Sequence, residues 1–146
     1  MSSMDTLDQR IIERLVANAR ATFAEIGAEV GLSAPAVKRR VDRLVADGTI
    51  AGFTAIVDPA AAGWGTEAYV QIHCRGKISP EILKRIWEPV PEIVSASTIT
   101  GQADAILRIR ARDVRHLERA LERIREDDTV ERTESIIVLS RLIERG

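Results

Sequence analysis

The sequence predicts an α+β fold in which a helical unit is followed by a unit of interleaved strands and helices. Two observations predict this class. Apolar residues recur at three- and four-residue spacing from Leu7 to Val45, as they do in amphipathic helices. Beyond Gly65, runs that alternate apolar and polar residues are interleaved with segments of helical periodicity.

The first two helices are predicted from their apolar stripes, and the first also from its cap. Asp5 or Thr6 can cap a first helix, whose stripe consists of Leu7, Ile11, Ile12, Leu15 and Val16. A second helix begins near Thr22, and its Ile26 and Val30 share one face. Gly27 lies where a crossing helix could approach closely, and Gly31 can adopt a positive φ and end the helix.

A third helix carries a cluster of basic side chains. Ser33 can cap it, Pro35 is tolerated in its first turn, and Asp47-Gly48 closes it. Its apolar stripe is Val37, Val41, Leu44 and Val45, with Lys38, Arg39, Arg40 and Arg43 beside or opposite that stripe. A helical hairpin with a solvated basic face would share this pattern. The small residues at the turn and the serine cap favour a DNA-binding helix-turn-helix instead.

The domain boundary is predicted from composition. A β-type run, Thr49–Val57, follows the third helix, and the stretch 59–65 is rich in Pro, Gly and Ala. We therefore expect a DNA-binding domain with a connecting strand over residues 1–58, a linker over 59–65, and a second domain over 66–146.

The second domain is predicted to have the order β-α-β-β-α-β, the ferredoxin-like split motif. The strands are 67–74, 93–100, 104–111 and 130–143. Ser79 caps the first helix, which holds Ile82, Leu83 and Ile86, and Asp113 caps the second, with Val114, Leu117, Leu121 and Ile124 inward. With both helices on one sheet face, the other face stays open and carries Tyr69, Ile106, Ile137 and Leu139. An open apolar face predicts a homodimer.

Charge and cysteine content narrow the function classes. The formal net charge is −1, and residues 1–58 carry seven basic and eight acidic side chains, so DNA affinity must come from local clustering. The lone Cys74 excludes an intramolecular disulfide and suits a cytoplasmic protein. No membrane-length apolar run or signal-peptide core occurs, so we expect no membrane partner.

Catalytic and metal-binding patterns are missing from the sequence. His73, Cys74 and His116 do not have the spacing of a zinc site. There is no nucleophile elbow, phosphate loop or dinucleotide fingerprint, so neither an enzyme nor a cofactor is expected.

The chain resembles the Lrp/AsnC family of feast/famine transcriptional regulators over nearly its full length. The residues that carry the resemblance are Leu7–Ile12, Ala19–Thr22, Gly31–Ser33, Val37, Arg40, Arg43, Leu44, Gly48, Ile50, Thr100–Asp104, Ile106–Ile109, Leu121 and Ile124. The resemblance implies a winged-type helix-turn-helix, a ferredoxin-like domain that binds small molecules, often amino acids, and dimers that assemble further, commonly into octamers.

The resemblance also implies an effector site between dimers, at the turn formed by Thr100, Gly101, Gln102, Ala103 and Asp104. Free N–H groups at a glycine turn can hold a carboxylate, and Asp104 can hold an α-ammonium. Thr133 and Ser135 on the last strand could add hydroxyl groups. A plain β-turn, in which Asp104 caps nearby amides, is the alternative. Ala103 and Ala105 stand where many relatives have bulkier residues, so the effector is not identified.

The sequence therefore predicts a sequence-specific transcriptional regulator of double-stranded DNA, gated by an amino acid or related small molecule. Ser33, Ala34 and Pro35 begin the recognition helix, Arg39 and Arg43 are expected to reach bases or phosphates, and Lys38 and Arg40 to hold phosphates. Arg40 could instead pair with Asp8 or Glu13 on the first helix. The alternative function is an architectural DNA-binding, metabolite-binding assembly protein with little sequence specificity.

Overall fold

The computed structural model describes residues 4–143, and the chain divides into two compact units, with the boundary along the chain between Ile56 and Val57. The first unit is helical and the second is built on one four-stranded sheet. In the described part of the chain no helix is long and apolar enough to cross a membrane.

The first unit consists of three helices: α1 (Thr6–Ala17), α2 (Phe23–Val30) and α3 (Ala34–Ala46). Each begins at a side-chain cap, since Asp5, Thr22 and Ser33 accept from a backbone N–H three residues further on. The sequence predicted the caps at Asp5 and Ser33, and for α2 only a start near Thr22. The apolar stripes of the three helices meet in a core of Ile11, Leu15, Ala21, Ile26, Val30, Val37 and Val41. Val16 and Val45, which the sequence also assigned to the stripes, are exposed at the ends of α1 and α3.

The strand predicted over Thr49–Val57 is wrong for the single chain. No strand forms in this segment, and residues 51–57 are all exposed. The composition favours an extended conformation, but a strand also needs a neighbouring backbone to accept its hydrogen bonds. After it, the stretch 58–64 folds into tight turns, in which Ala62 N–H donates to the Asp58 carbonyl and Trp64 N–H to that of Pro59.

The second unit confirms the predicted order of strands and helices. Its elements are β1 (Thr66–Cys74), α4 (Pro80–Trp87), β2 (Ile93–Thr98), β3 (Ala105–Ala111), α5 (Val114–Arg125) and β4 (Val130–Ile137). The sheet order is β2-β3-β1-β4, and every neighbouring pair is antiparallel. This is the ferredoxin-like arrangement, so the α+β class is confirmed.

Both helices of this unit cover the same sheet face. Leu83 and Trp87 of α4 and Leu117, Leu121 and Ile124 of α5 pack on Ala68, Val70, Ile72, Leu107 and Ile109 of the sheet. Val114, which was expected to point inward, is 60% exposed at the first turn of α5. No helix within residues 4–143 packs on the face that carries Tyr69, as predicted.

The predicted composition of the open face is partly wrong. The pairing of β4 with β1 shifts at His73 and Cys74, and Ile136 is consequently opposite Tyr69 while Ile137 is opposite Ala68 on the helix-covered face. A single shift of this kind moves every later side chain to the other face. Ile136 therefore replaces Ile137 on the open face. Leu139 lies beyond β4, which ends at Ile137 rather than Ile143.

Candidate functional site

The turn between α2 and α3 is fixed by its glycines and its cap. Gly31 has φ +78°, and its N–H donates to the Gly27 carbonyl, as does that of Leu32. A Cβ on Gly27 would lie 2.3 Å from the Leu32 carbonyl oxygen. The close neighbour of Gly27 is thus the turn backbone, and not the crossing helix that the sequence suggested. Ser33 Oγ then accepts from the Ala36 N–H and begins α3.

The solvent face of α3 presents Arg39. Val37, Val41 and Leu44 are buried, and Arg39 is exposed and makes no ion pair or side-chain hydrogen bond with another described residue. Lys38 Nζ lies 2.5 Å from Asp42 Oδ2 on the next turn of the helix. At the start of α3, Ser33 and Pro35 are exposed and Ala34 is half-buried. This end of α3 and Arg39 can approach a ligand together.

Arg40 and Arg43 are engaged by α1. Arg40 Nη1 donates to Asp5 Oδ2 at 2.7 Å and to Asp8 Oδ1 at 2.9 Å, and Arg43 Nη2 donates to Asp8 Oδ2. The hydrogen bond from Arg40 holds the pKa of Asp5 below its usual value. Arg43 does not project freely into solvent as the helical periodicity suggested, and the predicted alternative pairing of Arg40 with Asp8 is present.

Asp8 lies at the centre of these ion pairs, and the sequence indicated it only as an alternative partner of Arg40. Its carboxylate is fully buried between α1 and α3, and it also accepts from the Asp5 N–H in a capping box. The spacing of Asp5 and Asp8 is the available sequence signal. It indicates a helix start, but it does not indicate that Arg43 approaches the same carboxylate from α3.

The predicted effector turn connects β2 and β3. Gly101 has φ +113°, Thr100, Gln102 and Asp104 are exposed, and Ala103 is buried. Asp104 Oδ2 accepts from the Cys74 N–H at 2.7 Å, while Asp104 N–H donates to the Ile72 carbonyl. One carboxylate oxygen therefore caps the end of β1, and the other has no partner among residues 4–143.

The two hydroxyl residues of β4 are not brought to this turn. Thr133 is opposite Ile72 and Ser135 is opposite Val70, so β1 separates both residues from β3 and its turn. Thr133 Oγ1 accepts from Arg125 Nε of α5 at 2.8 Å. Within one chain these hydroxyls are therefore not adjacent to Asp104.

A second buried carboxylate lies on the open sheet face. Glu67 is 4% exposed, and guanidinium groups of Arg108, Arg110 and Arg141 lie 3.2, 2.7 and 2.8 Å from its oxygens. Burial alone raises the pKa of Glu67, but the hydrogen bonds from these arginines outweigh it and lower the pKa to about 2. Strand alternation placed Glu67 on this face, but did not indicate that three cations converge on it.

The two units match two families of domain models. Residues 4–45 match the AsnC-type helix-turn-helix domain, and residues 67–146 match the Lrp/AsnC ligand binding domain. The first match covers α1, α2 and nearly all of α3, and the second begins within β1 and includes the turn at Gly101.

Relatives align with nearly the whole chain. The HTH-type transcriptional regulator Rv2324 of Mycobacterium tuberculosis is 59% identical over 145 residues, covering 99% of this chain and 98% of the relative. The HTH-type transcriptional regulator LrpA of the same organism is 33% identical over 138 residues, covering 94% and 91%.

A solved structure shows the same fold in a ligand complex. The feast or famine regulatory protein Rv3291c from M. tuberculosis, complexed with L-methionine, matches with a TM-score of 0.90 and 32% identity over 97% of this chain and 96% of that one. Both domain matches, the relatives that align with nearly the whole chain and the shared fold indicate the same family. The chain belongs to the Lrp/AsnC family of helix-turn-helix transcriptional regulators.

Proposed function

We propose that this regulator recognises specific double-stranded DNA through α3 and responds to an amino acid bound at the turn 100–104. The observation that carries the DNA part is the exposed Arg39, which lies opposite the buried stripe of a helix that a glycine turn and a serine cap set in place. In a helix-turn-helix, the second helix of the motif, which is α3 here, enters the major groove with its N-terminal end toward the bases.

The ion pairs on α3 divide the predicted contacts into three groups. Arg39 and the helix start at Ser33, Ala34 and Pro35 are the base-reading candidates. Lys38 pairs with the exposed Asp42 and can exchange that partner for a phosphate at little cost. Arg40 and Arg43 would have to leave the buried Asp8, so their main role is to position α3 on α1.

Selection of binding sites from random DNA with the purified protein tests sequence specificity. On a selected site, Arg39→Ala is expected to weaken binding by about 1–3 kcal/mol if the arginine contacts a base. Lys38→Ala is expected to weaken binding to all sequences alike and to reduce the salt slope by about one per subunit. Arg85→Ala on α4 is the charge-matched control. Equal affinity of all variants would refute the assignment of α3, and selection of no preferred sequence would favour the architectural alternative.

The amino-acid response is supported by the ligand-binding domain match and by the geometry at Asp104. One carboxylate oxygen is available for an α-ammonium group, and the exposed turn offers backbone N–H groups. The relative Rv3291c, complexed with L-methionine, makes that amino acid the first probe. Because Thr133 and Ser135 lie beyond β1, their predicted role requires a second copy of the chain beside the turn.

Calorimetric titration with L-methionine tests the turn. Asp104→Asn retains an acceptor for the Cys74 N–H but removes the charge, whereas Asp104→Ala removes both. If the charge holds the ammonium, both variants are expected to lose binding while retaining DNA binding without ligand. Unchanged affinity in both variants would place the effector elsewhere, and loss in Asp104→Ala alone would assign Asp104 a structural role.

The expected assembly is a homodimer through the open sheet face, with higher oligomers such as octamers formed from it. Tyr69, Ile106 and Ile136 form the apolar part of this face, and no described helix covers it. The extended segment 51–57 exposes Phe53, Ile56 and Val57 and can pair with a second copy. A dimer would present two α3 helices to a near-palindromic site. We further expect this regulator to act in the cytoplasm and to have no enzymatic activity.

A further inference from the structure

Glu92, at the entry to β2, is a buried carboxylate at the opposite end of this strand from the turn 100–104. The residue is 5% exposed, and its backbone carbonyl accepts from the Arg110 N–H. Its Oε1 receives two hydrogen bonds, from His116 Nε2 at 2.8 Å and from Arg123 Nη2 at 2.5 Å. Both donors come from α5, which therefore closes over the carboxylate.

The other oxygen of Glu92 has no partner. Oε2 is buried and accepts no hydrogen bond from any residue in 4–143. His116 cannot supply a second donor, because its Nδ1 accepts from the Arg112 N–H and only Nε2 carries a proton in the neutral ring. Buried carboxylate oxygens are almost always satisfied, so this oxygen indicates a donor that the chain itself does not provide.

Glu92 lines a cleft of about 380 Å³ whose charges balance. Three guanidinium groups and three carboxylates line it, from Arg112, Arg119, Arg123, Glu92, Glu122 and Glu126. Arg112 and Arg119 make no ion pair with a described residue, nor do Glu122 and Glu126. An anion alone would face three carboxylates, and a cation alone would face three guanidinium groups. A ligand with both charges meets a partner for each.

We propose that this cleft binds a small zwitterion of the α-amino-acid class, with its ammonium group on Glu92 Oε2 and its carboxylate on Arg112 and Arg119. The site is separate from the turn 100–104 and does not depend on the effector assigned there. A protonated amine is the donor that best matches a buried carboxylate oxygen, and a guanidinium group is the best match for a carboxylate.

The test is NMR titration of the full-length protein with glycine, the smallest α-amino acid. The chain has two tryptophans and two histidines, and the Trp64 ring lies 6.1 Å from the His116 ring, so the Trp64 indole and His116 signals report on the cleft. Saturable shifts of both signals are expected in the wild-type protein. They are expected to disappear in Glu92→Gln, which can still accept from His116 but places an amide N–H₂ where the ammonium would bind.

Two further variants separate the possible outcomes. Arg112→Ala is expected to weaken glycine binding roughly tenfold, the effect of one charge-assisted hydrogen bond. Asp104→Asn is expected to leave the Trp64 and His116 shifts unchanged, even if it abolishes the response at the turn. Absence of saturable shifts in the wild type, or equal affinity in Glu92→Gln, would overturn the proposal. If Glu92→Gln does not fold, unchanged affinity in Arg112→Ala overturns it instead.

Discussion

The buried carboxylate of Asp8 should make Arg40 and Arg43 non-additive in their effect on the stability of the first unit. Asp8 is fully buried, whereas the Arg40 and Arg43 side chains are 25% and 41% exposed. Removing either arginine leaves Asp8 one cationic partner, and the lost hydrogen bond is partly exposed to solvent. Each single alanine variant is therefore expected to cost about 1 kcal/mol.

The double variant leaves the carboxylate buried without a cation. Breaking a buried pair in this way costs about 3–5 kcal/mol, so we expect about 4 kcal/mol for the double variant against about 2 for the sum of the singles. The coupling energy is then about 2 kcal/mol. In an Asp8→Asn background no buried charge remains, and the same double substitution should cost only about 1 kcal/mol.

Amide hydrogen exchange is the suitable measurement. Trp64 and Trp87 both lie in the second unit, so tryptophan fluorescence does not report on the three helices. Exchange at Ile11 of α1 and Val37 of α3, both fully buried, gives the local free energy of opening. If the double variant lowers the free energy of opening by no more than the two single variants together, burial of the Asp8 carboxylate does not require these cations.

Three further outcomes are expected. Gly27→Ala should destabilise the first unit by about 3 kcal/mol, because the added Cβ would lie 2.3 Å from the turn backbone. A Cβ at Gly31 would have no atom within 4 Å, so Gly31→Ala should cost only about 1 kcal/mol, for the positive φ. Amide exchange measurements compare the two variants. Glu67 has a pKa of about 2 in the folded protein against 4.5 for the free group. It therefore contributes to the free energy of unfolding above about pH 4.5, and this contribution is lost as the pH falls toward 2. In urea unfolding followed by tryptophan fluorescence, Glu67→Gln should abolish up to about 3 kcal/mol of this loss at low pH. A fragment beginning at Trp64 should remain at least dimeric in light scattering; Ile136→Lys should dissociate it and Ile137→Lys should not, and the reverse order would contradict the observed strand register.

The elements of the fold were predictable because their signals are local. A side-chain cap such as Ser33 acts within three residues, and the positive φ at Gly31 depends on glycine itself. The apolar stripes then identify the buried faces of the helices and of β1, since burial repeats with the period of each element. The exposed face of α3 that carries Arg39 followed from the same periodicity.

The partners of charged side chains were decided by the tertiary structure. Asp8 and Arg43 are 35 residues apart, and Glu67 and Arg110 are 43 apart. A long arginine side chain can reach several carboxylates, and only the packing of the helices and the pairing of the strands selects one. The same holds for Glu92, whose two donors are on α5.

The register of β4 shows most clearly what the sequence determined and what it did not. The sequence determined that residues from Val130 form a strand, because their composition and alternation favour one. Which of Ile136 and Ile137 lies on the open face depended on one irregularity at His73 and Cys74. Alternation has a period of two residues, so a one-residue shift in pairing reverses the faces while the sequence pattern stays the same.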